Sequence, residues 1–353
     1  MMLPYIGLVK YFIVLYYDYL NYKIGILKML ISTTEGKQFD TQGDQSILDA
    51  ALKSDLVFEY SCKNGQCGVC KTTLLKGDVI ELQAQLALTD QERNDDKILT
   101  CCCAAATDIE IDAVDLSALH CIEIKTLPAR VSQVSYLSNN IVEIKLRLPP
   151  TADFQFIEGQ YLDVIWNSIR RSYSIASISS EKEITLLIKR FENGQMSDYW
   201  FNKIQANDLL RIEGPKGTFF LRDDDKPLIF LATGTGIAPI KSILHRLEYD
   251  ADYQQIHAIA VYWGNRYPEE FVWQADFHKL KVDFYHVLSR SVANWAGETG
   301  YVQDTALSKH ANLNVSAVYA CGSNAMIQVA KQQFLASGLP ENRFHSDAFV
   351  QSF

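Results

Sequence analysis

The sequence predicts three domains in series: a small α+β domain, an all-β barrel or sandwich, and an α/β domain built on a parallel sheet. Three changes of pattern along the 353 residues predict them. Residues 29–113 mix short strands with one helical stretch and carry six of the eight cysteines. From Pro128 the chain breaks into short runs of alternating polarity separated by turn residues, the pattern of an antiparallel sheet with one buried face. Beyond Asp225, near-continuous apolar runs alternate with helical stretches, as in parallel strands covered on both faces.

The composition is that of a globular chain, 48% hydrophobic with 18 glycines and 9 prolines, long enough for two or three cores. A formal charge of −9 argues against a nucleic-acid partner, because phosphate binding calls for a basic surface. The cysteines are clustered rather than spread as long-range staples, which favours a metal site in a reducing, cytoplasmic location. Residues 1–28, MMLPYIGLVKYFIVLYYDYLNYKIGILK, are apolar and tyrosine-rich. Yet only about a dozen residues separate Lys10 from Lys23, Asp18 among them, against the roughly 20 uninterrupted apolar residues of a spanning helix. A basic leader and a small-residue cleavage site are missing, so no stable membrane insertion is expected. Met29 opens a strand-like LISTT, and a start codon assigned upstream would explain the extension as an artefact without function.

From Met29 the order is strand, turn, strand, helix: MLISTTEG, KQFDTQG, then SILDAALKSDL with apolar residues at helical spacing. The cysteine loop follows, then KTTLLKGDVI as strand and turn, a polar stretch, and KILTCCCAAATDIEID with its cysteines ahead of a last strand. Acidic residues outnumber basic ones about two to one here. Residues 114–127 lack a clear period and read as a linker. The second domain, 128–224, draws its strands from ARVSQVSYLS, IVEIKLRLP, QYLDVIW, RRSYSIAS and EITLLIKR. The third, 225–353, pairs PLIFLAT with IAPIKSILHRLEY, IHAIAVYWG with PEEFVWQADFHKL, and VSAVYACG with NAMIQVAKQQFLA, each a strand followed by a helix.

YSCKNGQCGVCK contains C-x4-C-x2-C, and with a distant fourth cysteine this is the plant-type spacing for a [2Fe–2S] cluster. Two irons and two bridging sulfides need four thiolates, and the anionic cluster is stabilised by backbone N–H groups aimed at sulfur. Gly65 and Gly68 let the backbone curl closely around it. A zinc site more often pairs two C-x2-C knuckles, and only one is present. Spacing leaves the fourth ligand open among Cys101, Cys102 and Cys103. The segment resembles the plant-type ferredoxin family, a β-grasp fold whose last ligand follows an aliphatic residue and one more, as in Leu99, Thr100, Cys101. The resemblance implies Cys62, Cys67, Cys70 and Cys101 as ligands, with Cys102 and Cys103 packed or free. Cys121, in the linker, has no evident task.

RRSYSIAS contains R-x-Y-S, which alone is an ordinary strand with a core tyrosine. It is followed in order by NGQMSDYW, EGPKGTFF and ATGTGIAP. That order resembles the ferredoxin–NADP reductase superfamily from about Pro128 to the C-terminus. The resemblance implies that Arg171 pairs with the diphosphate of FAD, its planar fork suiting phosphate, that Tyr173 stacks on the isoalloxazine, and that Ser174 bonds near N5. It also implies that Gly194, Gln195, Met196 and Ser197 open a helix toward the FAD pyrophosphate; Ser197 alternatively serves as an N-cap. Gly214, Pro215 and Gly217 read as a turn. Gly234, Thr235, Gly236 and Pro239 lie between a strand and a helix, where small residues let backbone approach a nucleotide phosphate. The superfamily resemblance places Cys321, with Gly322, beside the nicotinamide, and FHSDAF brings Asp347 and Phe349 near both rings. YWGNR, with Arg266, is expected on the adenosine side of the nicotinamide cofactor, and Glu269 and Glu270 tilt the expectation toward NADH over NADPH. The histidines carry no motif.

Three such modules imply an NAD(P)H oxidoreductase that passes electrons through FAD and a [2Fe–2S] cluster to an acceptor protein. Longer phrases, ILTCCCAAATDIEID, RIEGPKGTFFLR, KPLIFLATGTGIAPIKSIL and YWGNRYPEE, most resemble the CDP-6-deoxy-Δ3,4-glucoseen reductase family. That resemblance implies a pyridoxamine-phosphate-dependent CDP-sugar dehydrase as partner, in the biosynthesis of 3,6-dideoxyhexoses of lipopolysaccharide. The alternatives are a reductase for a Rieske dioxygenase or di-iron monooxygenase, and a non-catalytic redox or zinc module.

Overall fold

A computed structural model describes residues 28–222, 227–251, 258–290 and 292–350. The expectations for residues 1–27 lie outside them. The chain divides into two compact units, Met1–Cys121 and Ile122–Phe353.

In the first unit, β1 (Lys28–Thr33) and β2 (Gln38–Gln42) form an antiparallel pair, and β1 also runs parallel to β7 (Ile109–Ile111). β3 (Lys71–Lys76) joins β7 to β5 (Lys97–Leu99), giving the order β2-β1-β7-β3-β5. The helix α1 (Ile47–Lys53), whose Ser46 cap accepts the N–H of Asp49, buries Ile47, Leu48, Ala50 and Ala51 against Ile31, Phe39 and Ile111. A sheet wrapped on one helix in this way is the α+β arrangement expected. β4 (Val79–Glu81) pairs separately with β6 (Cys103–Ala105). The polar stretch between them contains a short helix, α2 (Asp90–Asn94), set by a reciprocal Thr89–Glu92 capping box. The expected linker is divided: Asp115, its side chain 3% exposed, accepts the N–H of Val57 in the first unit, whereas the next strand already begins at Lys125.

The second unit opens with six antiparallel strands: β8 (Lys125–Ser138), β9 (Ile141–Arg147), β10 (Tyr161–Trp166), β11 (Ile169–Ser174), β12 (Glu183–Lys189) and β13 (Leu209–Lys216). Their order is β11-β10-β13-β8-β9-β12, and a bridge from Ile175 to Leu186 brings the two edges together as a barrel. Gly214 and Pro215 lie inside β13 rather than in a turn. Their strand continues because Glu213 and Lys216 still pair with β10. Trp200, fully buried, fills the barrel with Val142, Ile144 and Leu186.

The remainder is a parallel sheet, β17-β16-β15-β14-β18-β19, made of β14 (Leu228–Thr233), β15 (Ile259–Asn265), β16 (Asp283–Leu288), β17 (Glu298–Thr299), β18 (Ala317–Ser323) and β19 (Phe344–Phe349). It carries α4 (Ile237–Glu248), α5 (Val302–Lys309) and α6 (Asn324–Ala336); α3 is introduced below. PEEFVWQADFHKL does not form the expected helix beyond a turn at Pro268–Glu270. Phe271, Val272 and Trp273 are consecutive rather than helically spaced, and all three pack on the core. The carboxylate of Glu248, ending α4, then takes the N–H groups of His278, Lys279 and Leu280, bonds that an intact helix would have used internally.

Candidate active site

The loop between α1 and β3 brings its cysteines to the start of β3, facing Cys101. Cys62 is half-buried, and Cys67, Cys70 and Cys101 are at most 6% exposed. They form two pairs. The thiols of Cys62 and Cys67 hydrogen-bond to one another, and Cys70 Sγ lies 3.2 Å from Cys101 Sγ. Among the described residues, no three His, Cys, Asp or Glu side chains converge as they would around a single ion. Backbone N–H groups aim at sulfur: Asn64, Cys67 and Gln66 at Cys62, Val69 at Cys67, and Gly65 at Cys101. The bond from Cys67 and those amides hold the Cys62 thiol down at about 6. Bonds from Cys102 and Cys70, with the Gly65 N–H, hold Cys101 at about 3, whereas partner bonding and burial push Cys67 and Cys70 up. The amides directed at Cys62, Cys67 and Cys101 suit anionic sulfur, as a thiolate-ligated cluster requires. Gly65 has φ +77°, and a Cβ there would stand 2.3 Å from the Ala84 carbonyl oxygen. Cys102 and Cys103 are fully buried in the core.

On the barrel, the β10–β11 register sets Leu162 against Tyr173, Val164 against Arg171 and Trp166 against Ile169. Period-two alternation therefore puts Tyr173, Arg171 and Trp166 on one face. On the other, Arg170 is fixed by Asp163 (2.9 Å) and Glu213 (2.5 Å). The Arg171 guanidinium donates to the Arg170 carbonyl at 2.7 Å and has no carboxylate partner among the described residues, so it is available to an anion. The Tyr173 hydroxyl accepts from Trp200 Nε1 at 2.7 Å, with the rings edge-on, and burial pushes its pKa up. Gly194 caps α3 (Gln195–Asp198), which holds Met196 buried and runs into a π-turn ending at Lys203. Ser197 lies within α3 and is not its cap, because its Oγ accepts the Phe191 N–H at 2.8 Å. Four α-helical residues make too short a dipole to bind phosphate alone. A cavity of about 570 Å³ opens here, lined by Trp166, Arg190, Phe191, Gln195, Ser197 and Lys203, among others.

In the parallel sheet, Gly234–Gly236 form one 3-10 turn with Thr235 at its centre, leading into α4. Pro239 sits in the first turn of α4, where its missing N–H costs no helical bond. A Cβ on Gly236 would stand 2.3 Å from the Cys321 carbonyl oxygen, so the turn lies directly on the end of β18, with Gly322 beneath it. Cys321 is fully buried; burial and the neighbouring Asp347 push its thiol pKa up. Cys321 pairs in register with Asp347, whose Oδ2 lies 3.5 Å from Ser174 Oγ. Three strands thus converge Ser174, Cys321 and Asp347, while Phe349, 39% exposed, stands at the rim. The Arg266 side chain is exposed at the end of β15, and its N–H donates to Glu270. Glu270, which the sequence set close to Arg266 as a lean toward NADH, is turned inward. Its carboxylate, 1% exposed, is taken by Lys189 (2.7 Å) and Asn140 (2.6 Å), so it is no argument for NADH. Arg290 instead comes to Tyr267, 2.8 Å from its hydroxyl, adding a cation that adjacency in sequence did not reveal.

Three domain families match in series: the 2Fe-2S iron-sulfur cluster binding domain over residues 31–106, the oxidoreductase FAD-binding domain over 128–221, and the oxidoreductase NAD-binding domain over 230–332. A CDP-6-deoxy-L-threo-D-glycero-4-hexulose-3-dehydrase reductase of Yersinia pestis is 41% identical over 319 residues, 89% of this chain and 96% of its own. The chain belongs to the iron–sulfur flavoprotein reductases of the ferredoxin–NADP reductase superfamily. Reductase component 1 of terephthalate 1,2-dioxygenase from Comamonas is 31% identical, covering 87% of this chain and 93% of that one. The crystal structure of the Amycolatopsis cytochrome P450 reductase GcoB shares the fold, with TM-score 0.69 at 23% identity over 92% of this chain and 99% of that one. The reductase is an NAD(P)H-dependent electron-transfer oxidoreductase with FAD and a [2Fe–2S] cluster.

Sequence reasoning on this reductase missed the residues that position the obvious ones. Gln83 Nε2 bonds the carbonyls of Lys63 (3.2 Å) and Cys101 (3.0 Å), and Ala87 N–H bonds that of Gly65, so residues 83–87 clasp both cysteine groups. Trp200 fixes Tyr173, and Lys189 fixes Glu270. None of these pairs has a local signal. Among the described residues, no helix is long and apolar enough to cross a membrane.

Proposed function

We propose that the reductase delivers electrons from its cluster to a pyridoxamine-phosphate-dependent dehydrase acting on a CDP-6-deoxy-4-keto sugar, in the cytoplasm, as a step toward 3,6-dideoxyhexoses. The observation that carries this is the 41% identity, across nearly both whole chains, to a protein named as the reductase of such a dehydrase, against 31% for the dioxygenase component. Bound together, the three groups would supply the conversion of a two-electron hydride donor into single-electron delivery, which the protein serves by holding them in place.

Cys62, Cys67, Cys70 and Cys101 would hold the cluster. Their pairwise grouping supports this over a single zinc ion, which would draw its ligands to one point. Arg171 binds the FAD diphosphate and Tyr173 packs on the flavin ring. The Gly234–Gly236 turn receives the nicotinamide cofactor, and Ser174, Cys321 and Asp347 line the position of hydride transfer, where the Ser174–Asp347 contact can hold a proton. Domain limits of 29–113, 128–224 and 225–353 accommodate these roles.

The test is anaerobic NADH consumption by the purified reductase with CDP-4-keto-6-deoxyglucose, with and without the dehydrase. Dehydrase-dependent oxidation and a 3-deoxy product are expected. Reduction of cytochrome c alone, with no dehydrase dependence, would leave the redox chain standing and point to an oxygenase partner. Arg171→Ala is expected to lower the flavin content of the purified protein; unchanged content would remove the diphosphate role.

A further inference from the structure

We propose that Trp263 is a positioning residue for the nicotinamide cofactor: its indole N–H pins the Gly234 carbonyl and thereby aims the Thr235 N–H at the cofactor's pyrophosphate. This rests on the reading of the Gly234–Gly236 turn as the seat of that cofactor. Trp263 lies on β15, outside the turn and the helix that follows it, and is fully buried. Its Nε1 donates to the Gly234 carbonyl oxygen at 2.8 Å. The sequence accounts for that reach. Trp263 pairs in register with Ala232 of β14, whose side chain is a single methyl, so the indole can cross that strand to the carbonyl just beyond its end. Both residues belong to one buried cluster.

The indole is itself held in place. Phe271, Phe284 and His286 surround it with ring centroids 5.1, 6.4 and 5.9 Å away, the first two nearly perpendicular to it. A buried N–H left without an acceptor is costly, so indole and carbonyl fix one another. The same oxygen also accepts the N–H of Ile237 at the start of α4, which occupies both of its lone pairs. The peptide that follows Gly234 is trans, and a planar trans peptide points its C=O and N–H in opposite directions. Holding the Gly234 oxygen inward, against Trp263 and Ile237, therefore turns the Thr235 N–H outward. As one of the first N–H groups of a helical segment it has no partner within the helix and is placed to meet negative charge. Gly234 needs the restraint more than another residue would, because its φ of +57° lies in a region that glycine enters and leaves freely.

The experiment measures ADP-ribose binding to the purified full-length protein by calorimetry, and NADH turnover with ferricyanide as acceptor. ADP-ribose carries the pyrophosphate but no nicotinamide. The decisive change replaces Trp263 by 3-benzothienylalanine, which keeps the shape of the ring and exchanges its N–H for sulfur. ADP-ribose binding is expected to weaken roughly three- to tenfold, the worth of one hydrogen bond. The KM for NADH should rise by a similar factor while kcat at saturating NADH stays within about twofold, the pattern of lost binding rather than lost chemistry. Trp263→Phe, also without the N–H, is expected to show the same split. Unchanged ADP-ribose binding and KM in the benzothienylalanine protein overturn the proposal, and so does a rise confined to Trp263→Phe, which would mark packing alone. Thr235→Glu tests the underlying reading, because a carboxylate on the turn should repel the pyrophosphate and weaken ADP-ribose more than either change at Trp263. Binding of wild-type strength in Thr235→Glu would show that the turn does not receive the cofactor, and the role of Trp263 would fall with it.

Discussion

Glu270 ties the barrel to the parallel sheet within the Ile122–Phe353 unit, and the strength of that tie follows from its burial. The carboxylate is 1% exposed and accepts from Lys189 of β12, from Asn140 beside β9 and from the Arg266 N–H. Removing one partner of a buried pair typically costs about 3–5 kcal/mol, because the other charge is left without compensation. Glu270→Ala strands the Lys189 ammonium. That side chain is 27% exposed, so water relieves it and the lower end, about 3 kcal/mol, is expected. Lys189→Met strands the carboxylate itself, with two neutral donors left, and the upper end is expected. In a double-mutant cycle the coupling should reach about 2 kcal/mol, against the 0.2–1 kcal/mol of exposed pairs. All five tryptophans, Trp166, Trp200, Trp263, Trp273 and Trp295, lie in this unit. Tryptophan fluorescence during guanidinium unfolding therefore reads its stability separately from the cluster domain. A coupling below about 0.5 kcal/mol would refute the argument and return Glu270 to the cofactor-facing role its sequence neighbourhood suggests.

What was legible depended on the range of the interaction that made it. The cysteine loop could be read because all its demands are local: three thiols, two glycines and their spacing sit within nine residues, and Gly65 at φ +77° meets the requirement directly. The strands of the barrel and sheet were legible for the same reason, through period and turn residues. The segment after Pro268 was not, because Phe271–Trp273 bury as an extended run and Glu248, remote in sequence, takes the backbone N–H groups that a helix would need. Nor was the role of Glu270, whose neighbours in sequence suggested a cofactor contact while Lys189 and Asn140, 81 and 130 residues away, decided it. α2 is the reverse case. TDQE carries a capping-box signature that was open to reading, yet the polar composition around it masked a helix of five residues.

Acid should weaken the Ile122–Phe353 unit in a defined direction. Burial raises the carboxyls of Asp163 and Glu270, but bonds from Lys216, Ser172 and Arg170 to the first, and from Lys189 and Asn140 to the second, outweigh it and hold both below the ordinary range. Their stabilisation is complete above an unfolded-state pKa of about 4 and is lost as pH falls through the lower folded values. Guanidinium midpoints read by tryptophan fluorescence should fall below about pH 4, and equal midpoints at pH 3 and pH 7 would contradict this. Gly65→Ala should abolish cluster incorporation while flavin content stays normal, because the new Cβ meets a backbone oxygen at 2.3 Å and the side chain disfavours φ +77°. Iron analysis against flavin absorbance reads this, and a full iron complement would show that the loop can shift. The choice of fourth ligand turns on two adjacent thiols: Cys101 pairs with Cys70 at 3.2 Å, whereas Cys102 Sγ contacts Cys101 at 3.5 Å and lies 2.9 Å from where a Gly65 Cβ would stand. Cys101→Ser should therefore lose the reduced-cluster EPR signal and Cys102→Ser should keep it; the reverse outcome would move the ligand by one residue and require residues 83–87 to open, since Cys102 is fully buried against them.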